Sequence, residues 1–320
     1  MPQDVAGPRI VCVALNPAID RTLEVHHLEI GQHAKGRLLS RQPAGKAVNV
    51  ARVLQHLGQP CLLTGFVGEA ERTMFERSFD ADVVTTQLFG LNCPTRENIS
   101  LADPDKGIET HVRDEGSEVR EDDQRRLARK LKILAKPDRW MVFAGSLPRG
   151  LSIERFLDIL RTVTAQGAKV ILDSSEAARD VLRRVPLWLI KPNLEELAAL
   201  TGRSVGTPAE IVSAALALRE VAETILVSVG EQGCYLVERG EALHGYVKKL
   251  PQRVTNTVGC GDALLAGFLA GRLRGQEAQG CVELAVAAGT SACFQIHAGE
   301  IDAVETELLA RRVTVEKVSL

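Results

Sequence analysis

The chain has 320 residues, of which 45% are hydrophobic and 25% charged, and its formal net charge is −2. That is the balance of an ordinary globular protein long enough to bury a full core. It excludes a general attraction to nucleic acid or to an anionic membrane, so any anion recognition has to be local. Seven scattered cysteines (Cys12, Cys61, Cys93, Cys234, Cys260, Cys281, Cys293) contain no C-x-x-C pair. They argue against a disulfide framework or a zinc site, and read as small core residues in a reducing cytoplasm. Met1-Pro2-Gln3-Asp4 carries no basic region, and the apolar run 10–15 is stopped by Asn16-Pro17. That run reads as a buried strand, not a signal sequence. No segment approaches the ~20 apolar residues of a membrane span, and a cytoplasmic protein is expected.

After the strand at 10–15, Asp20 follows closely. Residues 22–41 then alternate in polarity (22–26, 34–40), as strands with one wet face do. From Pro43 a helix opens with Ala47, Val50, Ala51, Leu54 and Leu57 on one face and Gly58 as its stop. Lys46 and Asn49, three apart, share another edge near its start. A lysine at the positive end of a helix dipole is either solvated or meets a bound phosphate; Gly45-Lys46-Ala47 is no Walker A motif. A strand at 62–67, a helix at 70–79 and a short strand near Val83 come next. Residues 93–101 and 108–113 pattern as a second pair of partly exposed strands around an Asp-Pro-Asp turn. They belong with 22–41 in a small outlying sheet, where Arg96 is either an edge-strand charge or a cation facing a site.

Beyond Arg120 the alternation becomes regular: helix 122–135, strand 140–144, helix 153–166, strand 169–172, helix 176–184 and strand 187–190. Short loops between alternating strands and helices predict a mostly parallel sheet covered on both faces, a three-layer α/β/α fold. Ligands in such sheets bind beyond the carboxyl ends of the strands. Those ends carry Gly145-Ser146-Leu147-Pro148, Asp173-Ser174-Ser175, Lys191-Pro192-Asn193-Leu194-Glu195-Glu196 and Ser228-Val229-Gly230-Glu231-Gln232-Gly233. Singly these are turn or cap residues; recurring at successive strand ends, they outline a site. Helices at 261–273, 277–295 and 302–312 complete the chain.

The stretch Asn256-Thr257-Val258-Gly259-Cys260-Gly261-Asp262 runs straight into the helix with Leu265, Phe268, Leu269 and Leu273 at helical spacing. Glycines there permit unusual dihedrals and close approach, and the first-turn amides with the helix dipole make an anion site. Asp262 is then either a first-turn dipole partner or a base that takes a proton from an attacking hydroxyl.

With these features the chain resembles the ribokinase-like PfkB family of carbohydrate kinases from about residue 10 to 292. It is closest to the branch holding 1-phosphofructokinase and tagatose-6-phosphate kinase. Leu15-Asn16-Pro17-Ala18-Ile19-Asp20, Thr95-Arg96-Glu97-Asn98, Gly145-Ser146-Leu147-Pro148, Lys191-Pro192-Asn193 and residues 256–262 resemble its signatures in order. The resemblance implies one ribokinase-like kinase domain over 1–320, with lid strands inserted at about 21–42 and 93–116. It implies ATP-dependent phosphorylation of a phosphorylated ketohexose, fructose 1-phosphate ahead of tagatose 6-phosphate and fructose 6-phosphate. Asp262 resembles the family's catalytic base, and the amides of Gly259, Cys260 and Gly261 its anion hole. Asp20, Gly45, Lys46 and Asn49 match sugar-binding positions, and Arg96 and Ser146 positions near the substrate phosphate. Asn193 and Glu196 match an N-x-x-E motif linked to Mg²⁺ through nucleotide phosphates. Ser228, Gly230 and Gly233 lie in a loop resembling the nucleotide-binding one, with the helix around Ala288 closing on the nucleotide. A homodimer through the lid is the implied partner.

Departures from the family pattern are Ala44 and Ala47 around Gly45-Lys46, Glu176 after Asp173-Ser174-Ser175, His111 with Arg113 nearby, and Cys260, expected to be buried and inert ahead of a redox-sensitive thiol at a helix N-terminus. Ala44 and Ala47 keep a kinase of unphosphorylated sugars or nucleosides open. A non-catalytic sugar-phosphate-binding regulator conflicts with the retained Asp262, and a nicotinamide dehydrogenase with the missing G-x-G-x-x-G.

Overall fold

Every residue of β1 (Ile10–Ala14) is buried, and its side chains alternate between two cores: Ile10, Cys12 and Ala14 join one, Val11 and Val13 the other. A strand covered on both faces must be apolar throughout, which is why this run shows no alternation. The computed structural model describes residues 7–319; Met1-Pro2-Gln3-Asp4, expected to carry no targeting signal, lies outside the described residues.

The chain continues through β2 (Ala18–Glu24), β3 (Arg37–Ala44), α1 (Lys46–His56), β4 (Cys61–Gly68), α2 (Arg72–Arg77), β5 (Val84–Leu91), β6 (Arg96–Asp103) and β7 (Ile108–Arg113). Next come α3 (Glu121–Leu134), β8 (Trp140–Ala144), α4 (Ile153–Ala165), β9 (Lys169–Asp173), α5 (Ser175–Leu182), β10 (Leu187–Ile190), α6 (Leu194–Thr201) and α7 (Pro208–Ala217). Last are β11 (Ala222–Ser228), β12 (Cys234–Glu238), β13 (Glu241–Val247), α8 (Cys260–Leu273), α9 (Ala278–Ala292), α10 (Ala303–Ala310) and β14 (Val313–Lys317).

The main sheet has ten strands in the order β14-β13-β12-β11-β10-β9-β8-β1-β4-β5. From β11 to β5 the pairs are parallel, and β12 to β14 add an antiparallel edge. Side chains of α1, α8 and α9 pack into one core, and those of α3, α4, α5, α6 and α7 into the other, which makes the three layers. The second sheet has four strands in the order β3-β2-β6-β7. Its strands are mostly half-buried or exposed, as their mixed polarity requires. Buried Asp103 accepts hydrogen bonds from the amides of His27, Leu28, Asp105 and Lys106, joining the turn after β6 to the loop after β2.

Several boundaries differ from the sequence reading. β3 runs through Pro43, paired with Ile19, so α1 starts only at Lys46. Pro43 is tolerated because β3 is an edge strand and needs no ladder donor there. β2 begins at Ala18, which places Asp20 inside the small sheet. β5 has eight residues where only a short strand was expected, because Thr85, Thr86 and Gln87 dilute its apolar signal. Helices α6 and α7 and strands β12 to β14 had no assignment from sequence; β13 and β14 are half-exposed and carry only weak alternation. Among the described residues, no helix is long and apolar enough to cross a membrane.

Candidate active site

Because β1, β8, β9, β10 and β11 are parallel neighbours, their carboxyl ends lie along one edge, and there two helices arrive N-terminus first. Both helices have a glycine at the N-cap, Gly45 for α1 and Gly259 for α8, and neither has a side-chain cap. By contrast α4, α6, α7 and α10 are capped by Ser152, Asn193, Thr207 and Asp302. The first-turn amides of α1 and α8 therefore stay available to an anion. Glycine is required at both caps. Gly259 has φ 82°, and a Cβ there would lie 2.9 Å from that of Ala298. At Gly45 φ is 113°, and a Cβ would come within 3.1 Å of Pro17 Cα.

The first turns of these helices carry the charged chemistry. Asp262 is 6% exposed, and its Oδ2 accepts a 2.8 Å hydrogen bond from Asn49 Nδ2. Burial, reinforced by the nearby Asp173 carboxylate, pushes the Asp262 carboxyl up to about 6. The bond from Asn49 and the charges of Lys46 and Lys191 oppose that rise without cancelling it. Lys46, the residue at the unfavourable end of its helix, places Nζ 2.8 Å from Asp173 Oδ1. Lys191 Nζ lies 3.2 Å from the other oxygen, Oδ2. Burial works to raise the Asp173 carboxyl, but the two lysines outweigh it and hold it below the usual range. Asp173 is thus an anion shared by two cations, and Lys191 Nζ also lies 3.3 Å from where a Cβ on Gly261 would stand. Sequence reasoning treated Asp173 and Lys191 as turn and motif residues. The available signal was a carboxylate closing an otherwise apolar strand, where a buried charge demands partners.

A second group lies where the small sheet meets the main one. Asn16 Nδ2 donates to Ser146 Oγ at 3.1 Å, and Asn98 Nδ2 donates to Asp20 Oδ1 at 2.8 Å. The Arg96 guanidinium donates to the carbonyls of Asn16, Pro17 and Asp114 at 3.0–3.3 Å. Burial lowers its pKa, with Asp20 as the main opposing charge. Arg96 therefore anchors the start of β2 as well as facing this junction. His111, on β7, bonds Ser100 through Nδ1 at 2.9 Å, and Arg113, two residues along the same strand, pairs in register with Asn98.

On the other side, Asn193 and Glu196 form a capping box on α6: the Glu196 amide donates to Asn193 Oδ1 at 2.8 Å, and the Asn193 amide to Glu196 Oε2 at 3.0 Å. This fixes Glu196 beside Lys46, whose pKa is depressed by burial but raised overall by Asp173, Asp262 and Glu196. A cleft of about 500 Å³ opens here between α5 and α6, lined by Ser174, Glu176, Lys191 and Glu196. Ser228 bridges to Asn193, and the turn from Gly230 to Gly233 closes the end of β11. Cys260 departs from expectation: it is only partly buried, and its sulfur touches that of Cys293. Cys293 carried no functional signal in the sequence.

The family model described as pfkB family carbohydrate kinase matches residues 8–304. The 1-phosphofructokinase of Vibrio cholerae is 32% identical over 309 residues, covering 96% of both chains. That of Escherichia coli K12 is 30% identical over 311 residues, 96% of this chain and 98% of its own. The crystal structure of phosphofructokinase-2 from Escherichia coli in complex with potassium matches with a TM-score of 0.86 at 25% identity, over 95% of this chain and 98% of that one. Likeness over nearly the whole length, in sequence and in fold alike, means that the chain belongs to the pfkB family of carbohydrate kinases and is a sugar kinase, a phosphotransferase.

Proposed function

We propose that this kinase moves the terminal phosphoryl group of ATP to a hydroxyl of a phosphorylated ketohexose, fructose 1-phosphate ahead of tagatose 6-phosphate and fructose 6-phosphate. The observation that carries the reading is Asp262, a buried carboxylate titrating at about 6 and held by Asn49 in the first turn of a glycine-capped helix. In this role it is ionised at neutral pH yet basic enough to take the acceptor hydroxyl's proton as the oxygen attacks. The amides of Gly259, Cys260 and Gly261 hold the oxygens of the group in transfer, with Lys46 and Lys191 as fixed cations around them. Asp173 keeps both ammonium groups in place before any ligand arrives. Asp20, Gly45 and Asn49 orient the sugar, Arg96 and Ser146 meet its phosphate, and Asn193, Ser228, Gly230 and Gly233 frame the nucleotide. The small sheet acts as a lid that keeps water from the phosphoryl group.

The donor set suits Mg²⁺ bound through the nucleotide and not in a protein cage. Among the described residues no group of three or more His, Cys, Asp or Glu side chains converges. Glu196 commits one oxygen to its capping box, leaving the other for the ion's hydration shell. When bound, the ion would neutralise charge on the nucleotide phosphates.

The test is ADP release with fructose 1-phosphate, tagatose 6-phosphate, fructose 6-phosphate and neutral sugars, using Asp262→Asn as the control. Arg96→Ala should raise KM chiefly for phosphorylated sugars, and an equal rise for neutral sugars would remove Arg96 from the phosphate role. A second reading, an unphosphorylated sugar or nucleoside as acceptor, is favoured by the commitment of the Arg96 guanidinium to three carbonyls. Turnover of neutral sugars alone would select it.

The lid also supports a homodimer. Its edge strands expose apolar side chains, Leu38 at 51% and Leu39 at 47% on β3, and Ile108 at 51% and Val112 at 53% on one face of β7. An unpaired apolar edge is a pairing surface. Sedimentation should find a dimer for the native chain and a monomer for Val112→Lys; a monomeric native chain ends this part of the reading.

A further inference from the structure

Of the seven cysteines, Cys12, Cys61, Cys234 and Cys281 are buried, and Cys93, Cys260 and Cys293 are partly exposed. Two of the accessible three meet: Cys260 Sγ and Cys293 Sγ are 2.9 Å apart, although 33 residues separate them in the chain. Cys260 is the first residue of α8 and Cys293 caps the C-terminus of α9. The backbone joins the same two places. The amides of Thr255 and Asn256, which lead into the glycine turn, both donate to the Cys293 carbonyl at 2.8 and 3.2 Å. Cys293 is therefore tied to the turn through main chain and side chain together. A disulfide needs a sulfur separation of ~2.05 Å, so closure requires the sulfurs to move by less than about 1 Å.

Either thiol can donate across the contact, so the pair is joined before any oxidant arrives. Whichever thiol ionises first is the one that attacks. Elsewhere burial pushes Cys234 up to about 12 and Cys281 up to about 11, leaving both inert.

We propose that Cys260 and Cys293 are a reversible modification site, a dithiol that takes up oxidation from a small-molecule disulfide and thereby distorts the turn at the head of α8. The thiolate of one cysteine attacks one sulfur of the small disulfide, forming a mixed disulfide and expelling one thiolate. The other cysteine, giving up its proton, attacks the newly bonded cysteine sulfur and expels the second. The protein loses two protons and two electrons, and the small disulfide takes them up and leaves as two thiols. The new bond pulls on the residue whose amide heads the anion site, so the crosslinked form loses turnover. That last consequence rests on the phosphoryl-transfer reading; the crosslink does not.

The experiment equilibrates the full-length enzyme across a series of reduced-to-oxidised glutathione ratios. Non-reducing peptide mapping is read beside ADP release with fructose 1-phosphate. The expected result is one peptide pair joined through Cys260 and Cys293, with turnover falling about tenfold or more in step and returning with dithiothreitol. Cys293→Ser should keep its turnover at every ratio. Glutathione adducts on single cysteines without the crosslink would overturn the proposal, and so would a crosslinked enzyme that still turns over at the reduced rate. If no substrate turns over in the reduced enzyme, the kinase reading fails while the peptide map still decides the dithiol. Because that map is taken on the native chain, poor folding of Cys293→Ser leaves the result intact.

Discussion

Asp262→Asn is expected to lower turnover by about 10²–10⁴-fold while raising thermal stability at neutral pH. The two effects have one cause. The carboxyl is buried beside Asp173, and its charged form is disfavoured enough to titrate at about 6. A folded-state value above the unfolded one, ~3.9, means that the protonated carboxyl favours the fold. That contribution is complete below pH ~4 and is lost as pH rises through about 6. At pH 8 the ionised group costs up to about 3 kcal/mol, and asparagine, which can still accept from Asn49, removes this cost. Melting curves should therefore separate above pH 6 and converge near pH 4. Nucleotide affinity should change little, because the turn amides are untouched. For the native enzyme, kcat/KM should fall on an acid limb near pH 6, as the base becomes protonated. Retained turnover in the variant would take Asp262 out of the base role, and melting temperatures equal at pH 8 would contradict the account of its burial.

Asp173→Asn is expected to act in the opposite direction on stability. Asp173 is 1% exposed and lies within 2.8 and 3.2 Å of two lysines, Lys46 and Lys191. Neutralising it leaves two ammonium groups without their counter-charge, and breaking a buried pair typically costs about 3–5 kcal/mol. The denaturation midpoint should drop accordingly. On the proposed function turnover should fall as well, since both cations lose the carboxylate that anchors them. The variant carries a further signature. Asp173 is one of the causes that raise the Asp262 carboxyl, so its removal, with both lysines retained, should move the acid limb of kcat/KM below pH 6. An unmoved limb with a lowered midpoint would leave Asp173 a purely structural residue.

Much of the architecture was legible from short-range pattern. The alternation of apolar strands with amphipathic helices from Glu121 to Ile190 appears in the structure close to its expected bounds, because burial on two faces or one is written directly into periodicity. Errors fell where that signal weakens. Pro43 looked like a helix start, but as an edge-strand residue it loses no hydrogen bond. The half-exposed strands β13 and β14 have no buried face strong enough to impose a pattern. At the site, the glycine turn at the head of α8 was readable as a place of unusual backbone, and Gly259 has φ 82° there, since tolerance of a positive φ is a property of the residue itself.

By itself, then, the amino-acid order determined the layers, the glycine turn at the head of α8 and the carboxylate beside it, because dihedral preference and periodicity are local properties. Only the tertiary structure decided which charges meet. Lys46 and Asp173 are 127 residues apart in sequence, and Asn49 and Asp262 are 213 apart. Asp262 is raised while Asp173 is lowered, although both are buried carboxylates at the same strand edge. The difference is that Asp173 has two ammonium groups against its oxygens, whereas Asp262 has a neutral amide and a neighbouring negative charge. Such contrasts depend on separations of a few ångströms and on the exclusion of water, and neither exists until the chain has folded.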